Sequence, residues 1–408
     1  MATPSSSHIF APIRWFLLLF IFSIPFENVS SLIGIETFTF SKLTGILLAG
    51  LAILQPSVCF ARPPKAFWLF LTYLVVNVLR GLCEGEWNSD LLWEPITLIQ
   101  CLLFFWISYN LLSYGNMWKS VYVTWVLSNV AVILLTYMGV VSAEIDTQSG
   151  RETVMSQNAN NAGLIYAMGA ISAIALLLNK NKDMSTIWRI LFLFLGLGLA
   201  MKCAATGSRS AMGCIGIAVI MIVAGRKGLN ARIKGFAIVC VLAAALAAIL
   251  LRTEVARERW ATTISGGHIS GRDTIFTNCL EMFLEKPIAG WGPTQHLNEL
   301  ANREAQFKGL ARDTHSDYFW VLTATGLLGG IPFLYAMWCC LWASWKGRNG
   351  PAGVFPFAFM CGLAAICLVG TYHKQKSFWI VASMACASGA VAADTRKMPK
   401  MLQPVTTA

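Results

Sequence analysis

IWRILFLFLGLGLAMKCAATGSRSAMGCIGIAVIMIVA, residues 187–224, decides how the rest of the chain is read. Two apolar runs, 187–203 and 209–224, flank the short polar turn Ala205-Thr206-Gly207-Ser208-Arg209-Ser210-Ala211. A helix that crosses a bilayer needs about 20 mainly apolar residues. By that measure the two runs are membrane spans and the turn is where the chain leaves the lipid.

The same measure, carried outward, places spans near 12–26, 43–60, 66–80, 91–112, 119–142, 162–179, 187–203, 209–224, 233–252, 317–343, 353–371 and 377–393. The reading is an all-α polytopic membrane protein of about twelve transmembrane helices. Ser31 to Phe40 reads as an interfacial stretch after a short first span. Arg14 and the apolar run Trp15 to Pro25 resemble a signal-peptide core, but Phe26-Glu27-Asn28-Val29 offers no small-residue cleavage site, so a retained first helix is expected. Composition agrees. Of 408 residues, 56% are hydrophobic and 12% charged, where a soluble domain carries roughly 25% charged.

The net charge of +11 invites a nucleic-acid reading. Loop charge gives a better account, because Lys and Arg collect on the inner side of membrane proteins. With the N-terminus inside, the inner loops hold Arg62 and Lys65, Lys119, Lys180 with Lys182 and Arg189, Arg226 with Lys227, Arg232 and Lys234, Lys346 with Arg348, and Arg396, Lys397 and Lys400. The acids Glu84, Glu86, Asp90, Glu144, Asp146 and Glu152 fall on the outer side. Both termini are then cytoplasmic, and no nucleic-acid partner is expected.

This topology divides the chain into 1–252 with spans one to nine, a long outer loop at 253–316, and 317–408 with spans ten to twelve and an inner tail. The loop is expected to be helical. Ser270 with Asp273 reads as a capping pair, followed at helical spacing by Ile275, Cys279, Met282 and Phe283 until Pro287 stops the run. Gly290-Trp291-Gly292-Pro293 is a turn, and Leu297 to Phe307 a further short helix. Thr314 with Asp317 reads as a second capping pair, which puts His315 in the first turn of span ten.

Three helix starts therefore carry a basic or imidazole side chain: Arg209, Arg272 and His315. A helix N-terminus offers unpaired N–H groups and the positive end of the macrodipole, so it attracts phosphate. Arginine adds a fork that holds phosphate oxygens in pairs. Histidine at the same place is expected to stay neutral and able to accept a proton. The bland alternatives are a snorkelling Arg209, a surface Arg272 and a capping His315. An arginine on the outer side runs against the charge rule, which favours a functional Arg209. His268, His296 and His373 are alternative outer histidines, while His8 lies in the tail.

Arg80, Arg151, Lys202, Lys374 and Lys376 form a second tier, able to line a basic funnel for anionic headgroups or to anchor helix ends; Asp317 joins that tier beside His315. Gln157, Asn158, Asn160 and Asn161 precede a span, where amides cap helices or bind sugar hydroxyls, capping being preferred. Most of the twelve cysteines sit inside apolar runs and read as packing residues; Cys83 and Cys279 fall in outer segments, where a bridge between them stays open. P-loop, HExxH, metal-ligand spacing and GxSxG are all lacking, so no nucleotide engine, resident metal or covalent nucleophile is expected.

The pattern resembles the O-antigen ligase and O-antigen polymerase superfamily of bacterial envelope glycosyltransferases. The likeness covers most of the chain in architecture and is concentrated in Gly207-Ser208-Arg209-Ser210-Ala211, Gly271-Arg272, Gly290-Trp291-Gly292 and His315-Ser316-Asp317-Tyr318-Phe319. It departs at Ser316, where many relatives carry Asn. The resemblance implies an inner-membrane protein with its active site in a periplasmic loop, acting without a cofactor. Arg209 and Arg272 would hold the diphosphate of an undecaprenyl-linked glycan donor and His315 would be the base. The acceptor is a lipid A core sugar for a ligase or the growing glycan for a polymerase. Among other classes, a polysaccharide-lipid flippase and an assembly scaffold are the alternatives; paired broken helices in two related halves, common in transporters, are not evident in the sequence.

Overall fold

The computed structural model describes residues 9–27, 39–84, 89–114, 117–145, 151–155, 157–178, 184–225, 272–304 and 307–397, with scattered positions between 226 and 271. In chain order the helices are α1 (Ala11–Ser23), α2 (Phe40–Ile53), α3 (Pro56–Cys59), α4 (Lys65–Leu82), α5 (Ser89–Tyr114), α6 (Trp118–Tyr137), α7 (Ala159–Leu178), α8 (Thr186–Ala205), α9 (Arg209–Ala224), α10 (Arg272–Glu285), α11 (Gln295–Asn302), α12 (Asp317–Gly347), α13 (Phe355–Ile366) and α14 (Lys376–Lys397).

Seven of these are long and apolar enough to cross a membrane: Lys65–Leu82, Trp93–Tyr114, Trp118–Tyr137, Ala159–Leu178, Thr186–Ala205, Asp317–Gly347 and Lys376–Asp394. Four shorter apolar helices accompany them, Ala11–Phe26, Phe40–Ile53, Arg209–Ala224 and Phe355–Ile366. The span expected at 233–252 falls largely outside the described residues, as do Ser270, Gly271 and His268. In lipid each backbone N–H and C=O must find its partner within the protein, which is why the apolar runs are helices.

Their packing sorts the apolar side chains into two sets. Phe70 of α4 meets Phe105 of α5, Phe333 of α12 and Trp379 of α14 at centroid distances of 4.9–5.9 Å, forming a dry centre where these four helices adjoin. Outside, Leu327, Leu328, Ile331, Leu334, Trp338 and Trp342 make an exposed stripe along α12. An apolar stripe of that length belongs against lipid, since water would penalise it heavily. A second group has α7 packed among α6, α8 and α9, with α13 against α9.

The structure departs from the sequence reading in three places. A two-stranded antiparallel hairpin, β1 (Ala143–Ile145) and β2 (Glu152–Val154), stands between α6 and α7, so the chain is not purely helical. The run 43–60 is two helices, because Pro56 has no N–H to continue α2 and instead starts α3. The bridge that the sequence left open is not formed: Cys83 is exposed, Cys279 buried, and both are free.

The third departure shapes the site. Span ten is broken: Gly326 adopts φ 59° and ψ −154°, a conformation open only to glycine without strain. The break releases backbone groups, and the loop segment after α10 takes them up. Trp291 and Gly292 donate to the carbonyls of Thr323 and Ala324 at 2.8 Å each, while Leu327 and Leu328 donate to Pro287 and Ile288 at 2.8 and 3.1 Å. Non-helical backbone in a membrane helix is tolerated when it is satisfied in this way.

Candidate functional site

The α8–α9 turn is built from local chemistry. Gly207, at φ 62°, ends α8, with its N–H donating to Ala204 O at 2.8 Å. Ser208 then caps α9, accepting from Ala211 N at 3.4 Å, and Arg209 is the first helical residue. Across from it Arg151 stitches two elements together: its Nε donates to Thr206 O at 3.0 Å and its Nη2 to Asn160 Oδ1 at 2.8 Å. Asn158 Oδ1 in turn accepts from Asn160 N at 2.9 Å, so this amide does act as a helix-start cap.

Arg272 begins α10, whose inner face of Ile275, Cys279 and Met282 packs on Leu300 with Trp291 and Phe319 alongside. That small second core fixes the loop against the head of α12. Lys286 and Arg303 both lie over the Trp291 ring, at 3.5 and 5.9 Å, and Arg303 also binds Glu285 and Glu299.

At the head of α12 the sequence reading needs correction. The cap is Ser316, which accepts from Phe319 N at 3.4 Å, so His315 precedes the helix instead of lying in its first turn. Its backbone is left-handed, φ 51°, a conformation with a cost for a residue bearing a Cβ. Hence the dipole argument made for His315 gives way to a local one. His315 Nδ1 lies 3.1 Å from Asp313 Oδ2, and the same carboxylate accepts from His315 N at 3.2 Å and from Thr371 Oγ1 at 3.0 Å. Burial works against ionisation of Asp313, but the hydrogen bond and charge of His315 with the Thr371 hydroxyl outweigh it and hold the carboxyl below its ordinary pKa.

These pieces meet in one cavity of about 220 Å³ lined by Arg151, Arg209, Arg272, Arg312 and His315, with Asn158, Asn160 and Ser210 between them. Arg209, Arg272 and His315, more than a hundred residues apart at the extremes, are thus brought together, and Arg151 joins them. Arg80, Lys202 and Asp317 do not line it. Arg80 donates to Gly290 O at 3.1 Å, Lys202 pairs with Glu152 at 2.8 Å, and Asp317 is buried. Lys374 pairs with Glu94 at 2.5 Å and Lys376 with Glu27, so these lysines tie helix ends together. Of the alternative histidines, the two described ones, His296 and His373, are buried.

The electrostatics of the cavity are one-sided. Among the described residues no carboxylate lines it. Burial lowers the Arg272 pKa; Tyr372 and Asp313 act against that, and the positive charge of Arg209 acts with it. Arginine remains protonated all the same, so like charges are held close together. Such a cluster is suited to an anion with several oxygens, such as a diphosphate.

Sequence reasoning missed Arg312, Asp313 and Tyr372. The first two adjoin His315 in the run Arg312-Asp313-Thr314-His315, which was the available signal. Tyr372 gave none. Its hydroxyl is buried, makes no hydrogen bond among the described residues, and has Ser210 and Arg272 as polar neighbours.

Residues 191–334 match the model of a protein family described as O-antigen ligase. The match supports membership of the O-antigen ligase superfamily. It contains Arg209, Arg272, Arg312 and His315, and leaves Arg151, Asn158 and Asn160 outside. No curated protein matches the chain.

Proposed function

We propose that the chain is an O-antigen ligase-like membrane glycosyltransferase that moves a glycan from an undecaprenyl-diphosphate donor to an acceptor sugar hydroxyl. The observation that carries this reading is the single cavity holding four arginines and His315, beside the heads of the apolar helices α9 and α12. A family match that spans three of those arginines and the histidine agrees with it.

In this reading Arg209 and Arg272, with Arg151 and Arg312, hold the donor diphosphate. Asp313 orients the imidazole by accepting from Nδ1, so that Nε2 is the acceptor. The acceptor hydroxyl gives its proton to Nε2 as its oxygen bonds to the anomeric carbon, and the bond from that carbon to the diphosphate oxygen breaks. The arginines stabilise the charge that builds on the departing lipid diphosphate. One displacement inverts the anomeric centre. Guanidinium charge takes the part a metal has elsewhere, so the reaction is read as metal-independent.

The placement proposed is the bacterial inner membrane with about twelve spans. Both termini are cytoplasmic, with 1–252 and 317–408 as helix blocks around the loop 253–316, and the cavity is periplasmic. A polymerase would use the same donor site with the growing glycan as acceptor in place of a lipid A core sugar. A flippase fits less well, because the charged side chains gather in one cavity and not along a path through the bundle.

Purified protein mixed with undecaprenyl-diphosphate glycan and an acceptor, without ATP, should release undecaprenyl diphosphate in step with glycan transfer. If lipid diphosphate is not released from any donor and acceptor pair while ATP drives lipid translocation, the reading is wrong.

A further inference from the structure

A second cavity, of about 190 Å³, lies beside the arginine cavity. The link into α7 separates the two: Asn158 and Asn160 face the arginines, whereas Gln157 and Asn161 face the second cavity. Its other polar lining is Gln375 and Ser377, over an apolar surface from Ile24 and Ile165. Its charges are balanced, since Glu27 pairs with Lys376 and Lys374 pairs with Glu94 at 2.5 Å.

That lining is wrong for a phosphate and right for a polyol. A phosphate site needs surplus positive charge. Here amides and a hydroxyl offer donors and acceptors in similar number, the pattern that fixes a neutral hydroxylated ring. Gln157 is held in place: its Nε2 donates to Pro25 O at 3.1 Å, which leaves its carbonyl oxygen as an acceptor. Among the described residues the side-chain amides of Asn161 and Gln375 make no hydrogen bond within the protein, so both are available to a ligand.

We infer that this second cavity is a saccharide subsite, which binds a neutral pyranose ring next to the glycosidic bond handled in the arginine cavity. The inference rests on the glycosyl-transfer reading for its place in a reaction, but its binding test does not. The ring belongs either to the acceptor or to the donor glycan.

Saturation-transfer NMR of the full-length protein in detergent, with a panel of methyl hexopyranosides and N-acetylhexosamines, gives the first arm. At least one sugar should bind the unmodified protein, and should still bind Arg209→Ala/Arg272→Ala. Binding should weaken about tenfold in Asn161→Leu/Gln375→Leu, the loss expected when two hydrogen-bonding amides are removed. No binding by any sugar, binding unchanged in the amide variant, or displacement of the sugar by inorganic pyrophosphate would overturn the subsite. If the double variant melts early, Gln375→Ala in the loop before α14 carries the same prediction. The second arm is steady-state transfer. A rise of about tenfold in the acceptor KM alone assigns the ring to the acceptor, and the same rise in the donor KM alone assigns it to the donor. A fall in kcat with neither KM changed overturns the inference. Should the chain transfer no glycan at all, the proposed function fails while the binding arm still decides the subsite.

Discussion

Two aspartate–histidine pairs lie at the head of α12, and they differ in nearly everything but composition. Asp313 faces His315 across 3.1 Å, with their side chains 43% and 32% accessible. Asp317 faces His373 across 2.5 Å, with both at 0%. Of the open pair, His315 lines the arginine cavity. Asp317 of the closed pair gathers structural bonds: it also accepts from Tyr372 N and His373 N at 2.9 and 3.0 Å, while the His373 carbonyl accepts from Trp379 Nε1 at 2.7 Å and His373 Nε2 has no partner among the described residues. Successive residues Thr371, Tyr372 and His373 bind Asp313, Asp317 and Asp317 in turn. The closed pair thus fixes the loop that in turn supports the open one. Exposure, and not residue type, separates the imidazole proposed as the base from the one that acts as a clamp.

The comparison breaks most sharply at His315. His315→Ala is expected to lower transfer about 10³-fold, the scale of a lost general base, with pyrophosphate binding and melting temperature unchanged. Transfer within threefold of the unmodified rate would remove His315 from the chemistry. Asp317→Ala should act through folding instead: removing one partner of a buried pair costs about 3–5 kcal/mol, read as a lower melting temperature in detergent with activity lost in parallel. A variant that melts normally yet cannot transfer glycan would make Asp317 a reactive group and erase the contrast. Asp313→Asn should cut kcat about tenfold or somewhat more, the worth of one charge-assisted hydrogen bond, without changing melting.

The smallest effect concerns a third histidine that has no carboxylate. His296 is buried on α11 against Trp320, with Nδ1 2.8 Å from Gly292 O. Burial lowers its pKa to about 3, the Gly292 carbonyl opposing only in part. Between that value and the unfolded one near 6.5 the unfolded chain binds more protons, so this residue's contribution to stability is complete above pH 6.5 and declines as pH falls toward 3. The melting temperature of His296→Gln should therefore fall less between pH 6.5 and 4.5 than that of the unmodified protein. Parallel curves would remove His296 as the source.

How much of this could be read in advance follows the range of the interactions. Apolar runs are local, so the apolar helices that the structure describes were legible, seven of them long enough to cross a membrane. Arg209, Arg272 and His315 stood out because each sits beside a helix start. Arg151 ranked lower because its partners are Asn160 and, 55 residues away, Thr206. Tyr372 was invisible because burial beside Ser210 and Arg272 leaves no trace in its own neighbourhood. The position of His315 was misjudged by a simple competition: Thr314 and Ser316 are both good caps, and the tertiary bonds from Ser316 Oγ and Asp317 N to Cys367 O favour the later one. Leu327-Leu328-Gly329-Gly330 looks like any span, and only the strand-like pairing with Pro287–Gly292 makes Gly326 a breakpoint.

That breakpoint changes which parts of the chain belong together. Residues 317–325 belong by sequence to a membrane rod, but their backbone is laced to the segment that follows α10, and α10 carries Arg272. The cluster of Ile275, Cys279, Met282 and Leu300 rests on Phe319 by the same route. Because the same segment is also bonded below Gly326, by Leu327 and Leu328 to Pro287 and Ile288, the break is bridged on both sides and ties Arg272's helix to the whole of α12.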